Sequence, residues 1–451
     1  MSALAPLRIP AFRLLITGRT VNALGNSFAP IALAFAVLDL TGSATDLGLV
    51  VGARTLVNVV FLLFGGVLAD RMPKHLLMVG ASLAAAVTQG LIAALVLTGT
   101  ATIPLLIVIS ALNGLVGALA LPATSSILPQ IVPAEIRQQA NALNRLSLNS
   151  AAVLGAPLAG VVVAATNPGW GIAVDALTFL VSGLLFAFLR VPRAQAAAPV
   201  TKAPDAKAPD AKAPDATAPG VIGDEQTPGA AAVEPSRPNI FADLRTGWSE
   251  FWSRTWLWAV VAGFCVINAS WSGSLYVLGP VVADDTIGRR AWGLVLAAQT
   301  LGMIAGALIA MRLRMRRMLL FGVFSTFFMA VPVLILGTSP QLWLLFAGAL
   351  LAGLMLEQFG IAWETTMQEH IPADKLARVY SYDMVGSFVA IPIGEMAVGP
   401  IAHAVGVEPT LVGATVLMTL AVVGMLCSRD VRTLPHEVPK AQTGPVKESV
   451  A

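Results

Sequence analysis

The sequence predicts an all-α membrane protein of twelve transmembrane helices, arranged as two six-helix bundles related by a pseudo-twofold axis. Three observations predict this fold class. Of the 451 residues, 56% are hydrophobic and only 12% are charged, about half the charged fraction of an average soluble protein. The apolar residues form twelve runs long enough to cross a bilayer. The two halves of the chain also resemble each other in sequence.

Each apolar run is bounded by polar residues, Gly or Pro and has about the 20 residues that a helix needs to cross a hydrocarbon core of about 30 Å. The first run lacks a short hydrophobic core ending at a small-residue cleavage site, so we expect an uncleaved first membrane helix. The predicted spans are 12–38, 44–69, 76–98, 102–128, 141–165 and 170–190, followed by 256–283, 291–311, 318–337, 341–367, 379–404 and 408–428.

The spans divide the chain into five parts. The N-terminal bundle is expected at 1–190 and the C-terminal bundle at 256–428, with a cytoplasmic tail at 429–451. Residues 191–238 contain the repeat TKAPDAKAPDAKAPDATAPG, whose composition predicts a disordered linker because it cannot bury a core. At 239–255 an apolar helical face predicts an amphipathic helix in the membrane interface; a cytoplasmic extension of helix seven is the alternative.

The two halves match in one register. QIVPAEIRQQAN after the fourth span aligns with EHIPADKLARVY after the tenth, which places Pro133 opposite Pro372, an offset of 239 residues. The same offset aligns three pairs of glycines: Gly114 with Gly353, Gly155 with Gly394 and Gly160 with Gly399. A duplication of this kind predicts a cavity between two homologous bundles near the bilayer midplane.

The basic residues predict the orientation. Lys and Arg follow the second, fourth, sixth, eighth, tenth and twelfth spans, whereas TGSAT, TGTAT, TNPG, GTSPQ and GVEPT in the alternate connections contain neither. Basic residues in short loops stay in the cytoplasm, so both termini are expected there. DDTIGRR is the exception, because it places Arg289 and Arg290 on the outer side.

The connection between the second and third spans resembles a signature of the major facilitator superfamily. In GGVLADRMPKHLLM, the residues that match are Gly66, Asp70, Arg71 and Lys74, with Pro73 in place of the usual Gly. The resemblance, which covers nearly the whole chain, implies that Asp70 latches the cytoplasmic ends of the two bundles at the start of helix eleven, around Arg378. Arg137 is a second candidate partner for Asp70, and a solvated acid in an ordinary loop is the alternative.

The fifth span is similar to a motif of the drug-exporting antiporters of this superfamily. VLGAPLAG supplies Gly155, Pro157 and Gly160, although Ala156 and Ala159 depart from the pattern. The arginine of the helix-four pattern is absent, because Ser110 stands at its position. The helix-five motif and the wider similarity to enterobactin and macrolide exporters favour export. A generic small-residue packing face is the alternative interpretation of the motif.

Polar side chains within the spans are the candidate site residues, since each is costly in lipid without a partner or a water-filled cavity. The expected proton-coupling group is Glu357, with Arg54 and Asp175 as further candidates; for Glu357 and Arg54, a structural ion pair is the alternative. The candidates for the substrate cavity are Arg19, Asn22, Asn26, Asn58, Asn113, Asn268, Trp271, Gln299 and Gln358.

These observations predict a proton-coupled exporter of amphipathic small molecules, acting as a monomer in the cytoplasmic membrane. An exporter of a siderophore or another secreted metabolite is the alternative. A membrane receptor or enzyme is a more remote one, because the four histidines and two cysteines are dispersed and predict no metal site. No cofactor motif is present, and the net charge of +3 gives no indication of a nucleic-acid partner.

Overall fold

The computed structural model describes residues 4–71, 74–133, 136–189, 248–249, 251–312 and 315–435. For residues 62–71, 74, 120–126, 129–130, 138, 373–374 and 377–378 it describes the backbone alone. The predicted linker at 191–238, and most of the predicted tail, lie outside the described residues.

Among the described residues, twelve long helices follow the predicted order. In the N-terminal bundle they are α1 (Pro10–Thr41), α2 (Ala44–Arg71), α3 (Lys74–Leu97), α4 (Ile103–Ser126), α5 (Arg137–Ala165) and α6 (Pro168–Ala187). In the C-terminal bundle they are α7 (Thr255–Asp285), α8 (Arg289–Ala310), α9 (Met318–Thr338), α10 (Leu342–His370), α11 (Ala373–Phe388 continued by Ile391–Val405) and α12 (Val407–Cys427). Apart from the start of α11, each end lies within four residues of its predicted position.

The length and composition of these helices match a membrane-spanning protein. Eleven of them are long and apolar enough to cross a bilayer, and Ile103–Leu119 in α4 forms a shorter apolar stretch. Leu91, Val108 and Leu177 are examples of large apolar side chains that remain more than half exposed. In a bilayer such side chains face lipid, and helices satisfy their backbone groups internally. The predicted fold class is confirmed.

The two bundles use the same helix pairs. In the first, α1 packs on α5 and α6, α2 packs on α4, and α3 packs on α4 and α6. In the second, α7 packs on α11 and α12, α8 packs on α10, and α9 packs on α10 and α12. The bundles meet where α5 packs on α8 and where α11 packs on α2, which are again equivalent contacts.

The aligned glycines lie at equivalent helix crossings. A Cβ added at Gly114 would lie 3.0 Å from the Arg54 carbonyl carbon on α2, and one at Gly353 would lie 2.8 Å from the Gln299 carbonyl carbon on α8. Both glycines therefore let two helix backbones approach closely, in the manner of small-residue helix packing in membranes.

Gly353→Ala is expected to lower stability by about 1–3 kcal/mol, the usual cost of an extra methyl in a packed interior. Gly360→Ala on the same helix is the matched control, because a Cβ there would have nothing within 4 Å. That control should be neutral or slightly stabilising, since alanine favours helix over glycine by about 0.5–1 kcal/mol. Thermal unfolding of both purified variants measures the difference, and equal midpoints would contradict the predicted crossing.

Three helices of the C-terminal bundle contain irregular turns just before a proline. The π-helical turn Gly273–Leu278 precedes Pro280 in α7, and the 3₁₀ turn Thr326–Met329 precedes Pro332 in α9. The break in α11 precedes Pro392. Proline lacks the N–H that would bond to the preceding turn, and its ring clashes with that turn's carbonyl. These helices adjust locally to avoid this clash.

The segment before α7 ends in an aromatic cluster. Residues 248–249 and 251–252 are helical, and Ser253 and Arg254 then separate them from α7. The Trp248 ring is 5.5 Å from that of Tyr382 on α11, and Phe251 is buried. The segment is thus not a continuous extension of α7 within its described part. Its place in the membrane interface stays a prediction, and residues 239–247 lie outside the described residues.

The bundles close on each other at one end of the molecule. We call the end where α1 begins and α12 ends the terminal face, and the opposite end the far face. A Cβ at Gly160 on α5 would lie 2.8 Å from the Arg289 carbonyl oxygen, at the start of α8. A Cβ at Gly399 on α11 would lie 2.6 Å from the Thr45 backbone nitrogen, at the start of α2. Both contacts lie towards the far face, which is therefore sealed along two seams.

Candidate functional site

A cavity of about 370 Å³ lies inside the N-terminal bundle, and we call it the N-bundle cavity. Side chains from all six helices of this bundle line it. Its polar lining includes six residues that the sequence singled out: Arg19, Asn22 and Asn26 on α1, Arg54 and Asn58 on α2, and Asn113 on α4. Their roles stay predictions, but the structure brings these six together.

The polar residues of α1 form one continuous strip, as their spacing predicted. Asn26 Nδ2 donates to Asn22 Oδ1 one turn earlier, and Asn22 Nδ2 lies 3.4 Å from Ser182 Oγ on α6. Arg19 lies one turn before Asn22 on the same face and also lines the cavity. The strip therefore places a guanidinium and two carboxamides along one wall.

The carboxamides of α2 and α4 hold helices together as well as lining the cavity. Asn58 Nδ2 donates to the Gly114 carbonyl oxygen at 3.1 Å, which joins α2 to α4. Asn113 Nδ2 donates to Thr88 Oγ1 at 2.9 Å, which joins α4 to α3. Each amide keeps its oxygen for a further partner, so these positions remain able to accept a hydrogen bond from a ligand.

The remaining cavity wall is mainly apolar. Its largest side chains are two phenylalanines of α6 and single residues of α3, α4 and α5: Phe179, Phe186, Met78, Val116 and Leu148. Pockets that combine an apolar wall with a few placed polar groups are the usual form of small-molecule sites. The N-bundle cavity therefore fits a ligand with both an apolar and a polar part.

Arg54 belongs to a buried charged cluster. Its guanidinium interacts electrostatically with Asp175 on α6 and with Glu395 on α11. Asp175 is fully buried; its Oδ2 accepts from Gln89 Nε2 at 2.7 Å, while its Oδ1 has no hydrogen-bond partner among the described residues. Glu395 is 3% exposed; its Oε1 accepts from Ser272 Oγ, and its carboxylate also interacts with the Thr55 hydroxyl on α2. The Arg54 guanidinium thus interacts electrostatically with one acid from each bundle.

A second cavity, of about 290 Å³, lies between the bundles. Arg54 and Asn58 line both cavities, and Glu395 lines only this one. Tyr276 also reaches it, from the π-helical turn of α7. The charged cluster is therefore situated where the N-bundle cavity meets the interface between the bundles. As an acid within an apolar span, Glu395 is, like Asp175, a candidate for a protonation site from sequence, and that role stays a prediction.

Glu357, the first sequence candidate for proton coupling, lies elsewhere. It is half-buried on α10 against Gly306 of α8, and its charge interacts with Arg145 and Glu364. Glu357 is in the lining of neither cavity. Its proposed role stays a prediction, but the structure does not place it with Arg54 and Asp175.

The polar candidates of the C-terminal bundle also lie outside the lining of both cavities. Asn268 Nδ2 donates to the Ser387 carbonyl oxygen at 2.9 Å, which joins α7 to α11. Gln358 Nε2 is buried and donates to the Gly306 carbonyl oxygen at 2.6 Å, which joins α10 to α8. Trp271 is buried, and Gln299 lies at the crossing with Gly353. These contacts serve helix packing.

The helix-five motif lies in two packing contacts. A Cβ at Gly155 would lie 2.6 Å from Ser27 Cβ on α1. Pro157 is next to Gly293 of α8, and Gly160 forms the far-face seam described above. The small residues therefore allow α5 to approach α1 and α8, and the connection of this motif with export stays a prediction.

The predicted gating residues lie at the connection between α2 and α3 and at the start of α11. The side chains at Gly66, Asp70, Arg71, Lys74 and Arg378 lie outside the described residues. Asp70 lies in the last turn of α2, just beyond the predicted end of the second span.

Arg137, the second candidate partner of Asp70, is exposed at the start of α5. Its Nε donates to the Val132 carbonyl oxygen at 3.1 Å. This bond ties the start of α5 to the connection that precedes it.

A charged cluster that the sequence did not indicate joins the bundles at the far face. Arg289 Nε donates to Asp284 Oδ1 at 2.7 Å within the C-terminal bundle, and its Nη1 donates to Asp39 Oδ2 on α1 at 3.0 Å. The guanidinium carbon lies 4.7 Å from the centre of the Phe35 ring. This cluster, which we call the far-face latch, explains why an arginine stands in a connection that was expected to lack basic residues.

Among the described residues, no group of three or more His, Cys, Asp or Glu side chains could hold a metal ion. The polar groups that line the N-bundle cavity are guanidiniums, carboxamides and a hydroxyl. The arrangement can bind a ligand by hydrogen bonds, charge and apolar contact.

Comparison with known proteins identifies the family. A family model described as the Major Facilitator Superfamily matches residues 15–394. No curated protein sequence matches the chain significantly.

Solved structures share the fold at low sequence identity. A bacterial homologue of the human lysosomal transporter Spinster, inward-facing and unoccupied, is 13% identical, with a TM-score of 0.66 over 92% of this chain and 96% of that one. A variant of the nucleoside transporter NupG is 12% identical, with a TM-score of 0.66 over 93% and 99%. A bacterial metal transporter is 14% identical, with a TM-score of 0.60 over 92% and 98%. The chain belongs to the Major Facilitator Superfamily, and it is a membrane transporter of small molecules rather than an enzyme.

Proposed function

We propose that the protein exports amphipathic small molecules from the cytoplasm in exchange for protons, by alternating access in the cytoplasmic membrane. The observation that carries this proposal is the N-bundle cavity. It is lined by apolar side chains, among them Phe179 and Phe186, together with a strip of hydrogen-bonding groups on α1. Sugars would require hydrogen-bonding groups on most sides, whereas an amphipathic molecule fits one apolar and one polar wall.

Proton exchange is assigned to the cluster around Arg54. Asp175 and Glu395 are buried acids within membrane helices, where ionisable groups commonly form proton relays. Protonation of either acid weakens its attraction to Arg54, which lines both cavities. A proton and a substrate can therefore compete for the same guanidinium, and this competition is the basis of exchange.

The proposed cycle needs the terminal face to lie in the cytoplasm. The far-face seams hold the two bundles together on the side opposite the terminal face. In this conformation the cavity would therefore receive its substrate from the cytoplasm. Single cysteines at Arg316 and Thr100, in connections at opposite faces, test this orientation in a background with Cys265→Ser and Cys427→Ser. Labelling of Thr100→Cys but not Arg316→Cys in intact cells supports it, and the reverse pattern contradicts it.

Export is tested by loading cells with ethidium or Nile red and following their efflux with and without a protonophore. We expect the protonophore to abolish the efflux that depends on the protein. Asp175→Asn should remove the dependence on the proton gradient, because the amide cannot carry the proton. The same efflux assay is applied to Glu357→Gln, because Glu357 is the first proton-coupling candidate from the sequence.

The matched control is Asp285→Asn, an exposed acid at the far face that lines neither cavity. It should retain full efflux. Gradient-driven efflux that persists in Asp175→Asn and is lost in Glu357→Gln would move the coupling site to α10. Efflux that is insensitive to the protonophore in the unmodified protein would reject proton exchange altogether.

A further inference from the structure

The charged groups that line the N-bundle cavity are both cations. Among the described lining residues, Arg19 and Arg54 carry charge and none is a carboxylate. Arginine remains protonated in proteins, so both charges are permanent. The charged side chains that an entering molecule meets in this lining are therefore both positive.

The two guanidiniums differ in their depth within the bundle. Arg54 interacts electrostatically with two buried acids, Asp175 and Glu395. Arg19 lies nearer the terminal face, nine residues after Pro10, or about 14 Å along α1. Arg54 lies 17 residues before Arg71 at the same end of α2, or about 26 Å from that end. Arg19 is thus the cation that a ligand entering from the terminal face would meet first.

An apolar surface adjoins Arg19. A Cβ at Gly18 would lie 2.6 Å from Phe186 Cε1, so the absence of a side chain at Gly18 allows this ring to lie against α1 beside Arg19. Phe186 lines the same cavity, with Met78 and Phe179. A cation beside aromatic and aliphatic surface is the complement of a molecule with an anionic group on an apolar body.

We infer that the cavity selects amphipathic organic anions, with Arg19 binding a carboxylate or another anionic group and the phenylalanines of α6 binding the apolar body. This inference rests on the proposed function and narrows its substrate class. Arginine pairs with carboxylates through two parallel hydrogen bonds, which a neutral or cationic analogue cannot form. The difference is expected to be about tenfold or more in affinity.

Three naphthalene probes of one size test the charge preference directly: 2-naphthoate, 2-naphthalenemethanol and 2-naphthylmethylammonium. Their binding to the purified full chain is measured by equilibrium dialysis in a neutral maltoside detergent. We expect 2-naphthoate to bind about tenfold more tightly than the alcohol, and the ammonium to bind most weakly. Equal affinities, tighter binding of the ammonium, or no saturable binding of 2-naphthoate would overturn the inference.

Variants at Arg19 connect the preference to one residue. Arg19→Gln should reduce 2-naphthoate affinity about tenfold and leave the alcohol unchanged, whereas Arg19→Lys keeps the charge and should retain most of the preference. Arg316→Gln, an exposed arginine outside the cavity, is the matched control and should bind all three probes like the unmodified protein. Loss of binding for all three probes in Arg19→Lys and Arg19→Gln alike would assign Arg19 a structural role and contradict the inference.

The transport assay separates this inference from the proposed function. Protonophore-sensitive export of ethidium or Nile red without export or binding of 2-naphthoate would leave the exporter proposal standing and overturn the anion preference. Tight binding of 2-naphthoate that depends on Arg19, with no effect of the protonophore on its transport, would support the anion site and overturn proton exchange.

Discussion

Gly399→Leu is expected to prevent the far face from closing and to reduce transport about 100-fold. A Cβ at this position would lie 2.6 Å from the Thr45 nitrogen and 2.7 Å from the Ala44 carbonyl carbon, which are backbone atoms that cannot turn aside. Overpacking of this kind costs about 3 kcal/mol at the upper end of its usual range, which shifts a two-state equilibrium by about 100-fold. The closed far face would then be a minor state.

The effect on conformation is measurable separately from transport. Spin labels on the exposed far-face residues Thr166 and Asp285, one in each bundle, should move apart in Gly399→Leu. Gly413→Leu on α12 is the matched control, because a Cβ there has nothing within 4 Å and the side chain would extend into lipid. An unchanged distance in Gly399→Leu, or an equal loss of transport in Gly413→Leu, would contradict the role assigned to this seam.

Arg289→Gln is expected to weaken far-face closure by about tenfold. Arg289 forms ion pairs with Asp39 of one bundle and Asp284 of the other. The exposed fraction of the side chain is 21% for Arg289, 42% for Asp39 and 34% for Asp284. A single exposed ion pair contributes about 0.2–1 kcal/mol, and two carboxylates with a stacked phenylalanine are expected to contribute about 1–2 kcal/mol together. The same spin-label pair should report a larger open population.

The adjacent Arg290 provides the control for the far-face latch. It is exposed one residue later in the same helix turn, so Arg290→Gln removes the same charge and leaves the ion pairs with Asp39 and Asp284 in place. Because the latch is partly exposed, added salt should open the unmodified protein and have little further effect on Arg289→Gln. Equal behaviour of the two variants would assign the effect to net charge instead of the latch.

The predictable part of the fold follows from the bilayer. A chain in lipid must satisfy its backbone groups within each segment, so twelve apolar runs of sufficient length imply twelve helices. The repeat predicted which glycines are equivalent, and Gly114 and Gly353 do lie at equivalent crossings. The irregular turns of α7, α9 and α11 were not predicted, although Pro280, Pro332 and Pro392 were the available signal.

The sequence predicted which residues belong to the candidate site, but it did not predict which of them lie together. Arg19, Asn22 and Asn26 were recognised because polar groups are rare within apolar spans, and helical spacing placed them on one face. Spacing along one helix does not say which other helix lies opposite. For that reason Asn268 and Gln358 looked equivalent to Asn58 and Asn113, although they bond to backbone oxygens outside both cavities.

The sequence by itself determined the membrane fold, the twofold repeat and the family. Hydrophobic length, glycine register and a short charged motif can be recognised along the chain without knowing how the helices cross. Only the tertiary structure decided that the cavity-lining candidates gather in the N-terminal bundle, that Arg54 interacts with both Asp175 and Glu395, and that Arg289 joins the bundles. Asp39 and Arg289 are separated by 250 residues. Their contact depends on how the helices cross, and the crossing results from the packing of many side chains at once.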